Sequence, residues 1–318
     1  MTRILAGIVS LCVLTFGSGG VLGQEYPNKP IRILAGGAGG GSDFDARQVA
    51  QGISGPLGQS VIVDNRASAL ITAETLAKSA PDGYTLMVNG SSSWINPLLQ
   101  KTPYDTLRDF APITHIARSV QVVAVHPSVP AKTIKDLIAL AKAKPGELNY
   151  GAVTVGGPAH LAGELFKSLA QVQIVSVHFK AQAASVTALI SGEVQLMFSD
   201  SNAVLPHAKA GKLRALAITS AEPSAVVPGL PTVAASGLPG YELVGAGGMW
   251  APVKTPVAII NRLNQEAVRT LNRADVKERY FNAGLEILTN SPEAFDALIR
   301  ADIARMGKVI KDAGIKVD

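Results

Sequence analysis

Beyond residue 12 the chain has no cysteine, its single one being Cys12. Once the first segment is removed, as argued below, disulfides, thiolate metal sites and cysteine nucleophiles are all excluded. Histidine is sparse. The five, at 115, 126, 160, 178 and 207, show no metal-ligand spacing. No G-x-S-x-G nucleophile elbow and no H-E-x-x-H motif occurs. The carboxylates form no readable acid/base pair. The expectation is therefore no catalytic residue, no metal and no cofactor. Basic residues form no block, so no nucleic-acid partner is expected. After the first segment, no stretch approaches the ~20 apolar residues that a spanning helix needs.

The first segment has its own logic. Arg3 supplies a positive start, Ile4–Phe16 is an apolar run, and small residues follow up to Gly23. This order reads as a signal peptide over 1–23, with export to the periplasm, and the run is too short to span a bilayer. Removing it removes one base and no acid, so the formal charge falls from 29 − 24 = +5 to 28 − 24 = +4. Mild basicity of this kind suits the capture of small acids.

A length of 318 residues suggests two domains, and 47% apolar residues can build a sizeable core. Apolar runs and helical periodicities alternate along the chain. Strands are predicted at Ile31–Gly37, Ser60–Asn65, Val120–Pro127 and Leu243–Pro252, among others, with helices between them. A second strand–helix series begins after Pro145-Gly146. Three helical segments, from Val257, Ala274 and Pro292, finish the chain. Turn-rich crossings near Val125–Pro130 and Gly237–Val244 are candidate hinges. The alternation is the signature of helix-covered, largely parallel sheets.

Three loops carry candidate chemistry. In "LAGGAGGGSDFDAR" (Leu34–Arg47), five of the six residues from Gly36 to Gly41 are glycine. A Walker loop would need Lys where Ser42 stands, and the Rossmann pattern finds no register. What remains is a strand entering a glycine turn and leaving as a helix, with free N–H groups and a positive helix end converging on one point. Such a point binds a carboxylate without a lysine; the alternative is a tight turn that binds nothing. Ser42 and Asp45 read as a capping box. Asp43 and Asp45 stay open between serving the helix end, repelling an anion and receiving a ligand's ammonium. The second loop, Asn89–Asn96, offers the hydroxyls of Ser91, Ser92 and Ser93 and the flat face of Trp94. An ordinary turn with Trp94 in the core is the alternative. The third, Tyr150–Phe166, repeats the first: Gly156 and Gly157 precede a helix, Pro158 suits its first position, and His160 falls in the first turn as cap or contact.

These segments, in order, are similar to one known family. "YPNKPIRI", "GGGSDFDAR", "LGQSVIVDNR", "APDGYTLM", "HLAGELF" and "LPHAKAGKLRALAIT" resemble the Bug family of periplasmic solute receptors, the binding components of tripartite tricarboxylate transporters. The likeness runs from Tyr26 to Val317. It implies a type II, Venus-flytrap α/β fold, with a mixed, mostly parallel sheet in each lobe. Lobe 1 would comprise 24–125 plus 241–318, and lobe 2 would comprise 126–240. It implies a monomer that closes over a small organic acid, aromatic or dicarboxylate. Partners would be inner-membrane permease subunits or, alternatively, a membrane sensor. Carried onto this chain, the family's motif falls on Gly40, Gly41, Ser42 and Asp43 in the first loop and on Gly156 and His160 in the third; with Gly39, Ser91, Ser92, Ser93, Trp94, Gly157, Lys180 and Asp200 they make up the expected ligand set. Several positions depart from the family pattern. Asp45 stands where an apolar residue is common, and Ala152, Val153, Thr154, Val155 and Pro158 replace more polar residues in the third loop. A less polar wall implies a ligand with an apolar body rather than citrate.

Overall fold

The computed structural model describes residues 26–153, 155–312 and 314–315. The expected signal peptide over 1–23 and Thr154 lie outside the described residues. Among the described residues, no helix is long and apolar enough to cross a membrane.

The first series is β1 (Ile31–Ala35), α1 (Gly41–Leu57), β2 (Val61–Asn65), α2 (Ala69–Ala77), β3 (Thr85–Gly90), α3 (Ser92–Leu99) and α4 (Thr106–Asp109). The long strand β4 (Phe110–Val125) leads into α5 (Ile134–Ala143), β5 (Asn149–Ala152), α6 (Pro158–Ala170), β6 (Val175–His178), α7 (Gln182–Ser191), β7 (Leu196–Asp200), α8 (Ser201–Lys209) and β8 (Arg214–Ile218). The return strand β9 (Val244–Pro252) precedes α9 (Val257–Leu271), α10 (Ala274–Asn282), β10 (Leu285–Ile287) and α11 (Pro292–Asp312).

Two mixed sheets result, and β4 belongs to both. Its first part, Phe110–Val120, pairs antiparallel with β9, which continues through β3 to the parallel strands β1 and β2. Its last part, Gln121–Val125, pairs antiparallel with β7 and β8, and β7 continues to the parallel strands β5 and β6. The outer strands of each sheet are parallel because helices cross over between them, and the strands that join the lobes run antiparallel. The chain thus changes sheets at Val120/Gln121. It changes back at Leu243/Val244, where the Leu243 N–H still donates to Thr219 O of the second sheet while Val244 pairs with Val120 of the first. The division expected from the sequence lay at 125/126 and 240/241.

Each sheet buries one face under its own helices. Ile33, Val49, Leu86, Met249 and Leu263 form one core, and Val122, Leu189, Met197 and Ile218 another. A third core runs through both lobes, linking Trp94, Trp250 and Phe295 to Leu165, Phe166 and Phe198.

Two local readings are corrected. Helix α1 begins at Gly41, with Gly40 as its N-cap and no side-chain cap, so Ser42 and Asp45 do not form a capping box. Glycine N-caps cost little, and the Asp43 carboxylate takes over by accepting from Gly39 N at 2.9 Å. The serine stretch is a helix rather than a loop, since α3 starts at Ser92.

Candidate functional site

A cavity of about 780 Å³ lies where β4 and β9 pass between the lobes. Its walls are helix beginnings. Gly40, Ser91, Gly157 and Asp200, the N-caps of α1, α3, α6 and α8, all line it, and none of these caps makes a side-chain hydrogen bond. Helix α7 brings its first residue, Gln182, to the same space. By contrast α2, α4 and α5, which start away from the cavity, are each capped by a side chain: Ser68, Asp105 and Thr133. Helices α9 and α10 also start without a side-chain cap, but outside the cavity. First-turn N–H groups have no intrahelical acceptor, and each helix start carries about half a positive charge. Four such ends directed at one cavity provide unspent donors and a positive potential.

Tight turns allow the helix starts to reach the cavity. Gly39, at φ +79°, and Gly156, at φ +73°, occupy backbone that L side chains rarely adopt. Each turn is tied from behind. Asp43 accepts from Gly39 N, from Asn65 Nδ2 at 2.8 Å and from Arg47 Nε, and Ser42 Oγ accepts from Gly36 N at 3.2 Å. In the other lobe, Gly156 N donates to His160 Nδ1 at 2.9 Å, which places the ring proton on Nε2. Burial lowers the His160 pKa, against the opposing pull of Glu164, so the ring is neutral at physiological pH.

The structure therefore divides the candidate residues. Gly39, Gly40, Gly41, Ser42, Ser91, Ser92, Gly156, Gly157 and Asp200 line the cavity. Asp43 and His160 are buried behind the loops they hold. Ser93 and Trp94 are buried beneath α3, the indole Nε1 donating to Asp302 Oδ2 at 2.6 Å. Lys180 is exposed and off the cavity. Asp45, which the sequence left open, also lines the cavity. Other lining residues escaped the sequence reading: Phe44 from α1, Ser119 from β4, Gly245–Gly247 from β9, and Asp302 with Arg305 from α11. Only the helix period could have pointed to Phe44; the others converge through tertiary pairing.

The floor is bare backbone for a reason. A Cβ on Gly245 would lie 2.2 Å from Ser119 Oγ, and one on Gly247 would lie 2.4 Å from Asp45 Oδ2. Glycine on β9 makes room for both side chains. Arg305, the one cationic side chain at the cavity among the described residues, is held by Asp302 at 2.5 Å and by Glu242 O. Val155, Pro158 and Leu161 from one lobe face Phe44 and Ile95 from the other, which gives the polar helix ends an apolar surround.

Across the mouth the lobes touch. Leu99 of α3 abuts Gly156, Asn202 Nδ2 donates to Ala283 O at 3.4 Å, and Ser224 Oγ donates to Glu286, which also pairs with Arg118 at 2.7 Å.

A family profile described as "Tripartite tricarboxylate transporter family receptor" matches residues 45–315. The chain belongs to this receptor family. Among curated relatives, Protein BugT of Bordetella pertussis is 33% identical over 324 residues, covering 100% of this chain and 99% of BugT. Among solved structures, Rpa4515 of R. palustris with adipate is 34% identical, at a TM-score of 0.78, over 92% of this chain and 99% of that one. MatC of Rhodopseudomonas palustris with bound malate is 26% identical, at a TM-score of 0.74, over 90% and 100% of the two chains. The Bug-family resemblance and the two-lobed α/β fold are thus both established, and the relatives are binding receptors.

The receptor's Asp43 gives a first testable consequence. The hydrogen bond from Arg47, with those from Gly39 and Asn65, lowers its pKa from 3.8 to about 2. A carboxyl depressed on folding stabilises above its unfolded pKa and loses that contribution as pH falls through the folded one. Wild type is expected to exceed Asp43→Asn in stability at pH 5, with the gap narrowing between pH 4 and pH 2. Urea titrations across that range check it; a gap independent of pH would contradict the assignment.

Proposed function

We propose that the protein is a periplasmic solute receptor that captures a small carboxylate-bearing metabolite between its lobes. It delivers this ligand, unchanged, to the permease subunits of a tripartite tricarboxylate-type transporter. The observation that carries the reading is the convergence of four uncapped helix N-termini on one cavity. A ligand carboxylate would accept from the N–H groups after Gly39–Ser42, and a second polar end would meet those after Gly156-Gly157. Adipate and malate in related structures support this chemistry. The cavity volume suits a small ligand that is almost fully enclosed.

Lobe 1 is residues 26–120 plus 244–312, and lobe 2 is residues 121–243 apart from Thr154. Closure turns at the two strand crossings. A ligand that touches both lobes only when they are shut favours the shut form by its differential affinity. Micromolar binding corresponds to about 8 kcal/mol.

A thermal-shift screen tests the ligand class. At a hundredfold excess over Kd, a cognate dicarboxylate should add about 2.7 kcal/mol of stability. A flat response across mono-, di- and tricarboxylates would sink the acid assignment. Deleting the gene and following uptake of the labelled hit tests delivery. Uptake that persists while the cell's response to the ligand disappears would make the receptor a sensor instead.

A further inference from the structure

Asp45 is the buried acid that the helix ends do not explain. It is 6% exposed, lines the cavity, and its Oδ1 has no hydrogen-bond partner. The surrounding elements offer it no counter-charge. Tyr280 of α10 lies beside it, and its phenol favours the ionised form, but burial outweighs that support and neither Asp45 Oδ1 nor Tyr280 Oη makes a hydrogen bond of good geometry. On β9 the residue beside it is Gly247, whose strand partner on β4 is Ala117. The neighbouring charges are already engaged: Arg47 with Asp43, Arg118 with Glu286, and Arg279 with Asp275 and Gln48. Of the other two acids of the cavity, Asp200 is within reach of Gln182 at 3.5 Å, and Asp302 accepts from Trp94 and pairs with Arg305. Tyr280 and Gly247, which lie against Asp45, belong to α10 and β9 on the same side of the cavity.

An ionised carboxylate without a partner is costly in such a place, whereas the neutral acid is tolerated and carries an O–H that needs an acceptor. Two ligand groups could meet it. An ammonium would have to enter a cavity ringed by four positive helix ends. An anion would be drawn there and would accept the proton donor directly. We propose that Asp45 acts as a neutral carboxylic acid that donates a hydrogen bond to a carboxylate of a bound dicarboxylate, which makes capture coupled to the uptake of one proton. This rests on the solute-receptor reading above and sharpens it, because it selects dianions over zwitterions. Burial raises the Asp45 pKa to about 7. Below that pH the donor is already in place. Above it, ligand²⁻ and Asp45–COO⁻ combine only by taking H⁺ from solvent. Affinity then falls about tenfold per pH unit, the expectation for one required proton.

Titration calorimetry with adipate, glutarate and glutamate on wild type and Asp45→Asn tests this, in buffers of different ionisation enthalpy. Wild type should bind a dicarboxylate about fifteenfold more weakly at pH 8.5 than at pH 7, taking up close to one proton at the higher pH. Asp45→Asn, which donates through a weaker amide N–H, should bind severalfold more weakly at pH 6, with no pH slope and no proton uptake. Wild-type binding independent of pH would overturn the proposal. So would a preference for glutamate that disappears in Asp45→Asn, which would show an ionised acid receiving an ammonium. A uniform failure of dicarboxylates to bind defeats the solute reading and the proposal together. Carbon-13 carboxyl NMR of the unliganded protein separates the two: an Asp45 resonance that titrates below pH 5 defeats the neutral acid on its own ground.

Discussion

Trp94→Ala is expected to lower the stability of the protein by about 4 kcal/mol, within the range for truncating a buried tryptophan. The indole is buried at 1% exposure and sits 5.8 Å from the Trp250 ring and 6.3 Å from Phe295, which in turn lies 5.2 Å from Trp250. Removing it empties the centre of the core that runs through both lobes. It also removes the Nε1 donor from Asp302, a residue of the cavity wall that otherwise holds Arg305. Trp94→Phe should cost less than half as much, because it keeps most of the packing and loses only the hydrogen bond and the larger ring. Urea unfolding of the three proteins checks the order. If Trp94→Ala unfolds within 1 kcal/mol of wild type, the shared core is not where the lobes are held together. Ligand-induced changes in tryptophan fluorescence are then expected to travel through Asp302, since the ring itself does not border the cavity.

How far the sequence carried can be judged from the two acids of the first loop. Strand β1, the glycine turn and helix α1 were legible because an apolar run, a loss of side chains and a 3.6-residue period are local signals. The starts of α9, α10 and α11 were legible for the same reason. Which acid faces the cavity was not legible. Asp43 and Asp45 are two residues apart on a helix, so they point to different sides, and only the position of Asn65 and Gly247 in space shows which side is which. The sequence also suggested only the second part of β4. Phe110–Ser119 mixes Pro112, Thr114, His115 and Arg118 among its apolar residues, which hides the strand period. The β9 partner and the register shifts near Pro112 and His115 accommodate them. The crossing between the sheets was not legible for the same reason. A strand that passes from one sheet to another has no break in its sequence at Val120/Gln121. Ser91–Ser93 read as a loop because polar residues at a helix start and in a loop look alike, and Trp94 alone could not decide between them.

Gly156→Val is expected to weaken dicarboxylate binding about a hundredfold while leaving the melting temperature of the ligand-free protein within a few degrees. Gly156 holds φ +73°, a region where a β-branched residue is strained. More importantly, its Cβ would lie 2.3 Å from Leu99 Cδ1, across the mouth of the cavity. Leu99 belongs to the other lobe, so the collision exists only when the lobes are shut. A hundredfold loss corresponds to about 2.7 kcal/mol taken from the closed state alone. The Gly156 N–His160 bond lies within one loop and its own helix, so it does not depend on the approach of Leu99. Leu99→Ala added to Gly156→Val should recover part of the affinity, since it shortens the side chain that is struck, and a double-mutant cycle on binding measures the coupling. Additive losses, or a single variant that binds within threefold of wild type, would mean that the contact between Gly156 and Leu99 is not part of the ligand-bound state. A positive coupling would place the decisive step of capture in the approach of two turns with almost no side chains. Their glycines would then serve close contact between the lobes as much as access of the ligand to bare N–H groups.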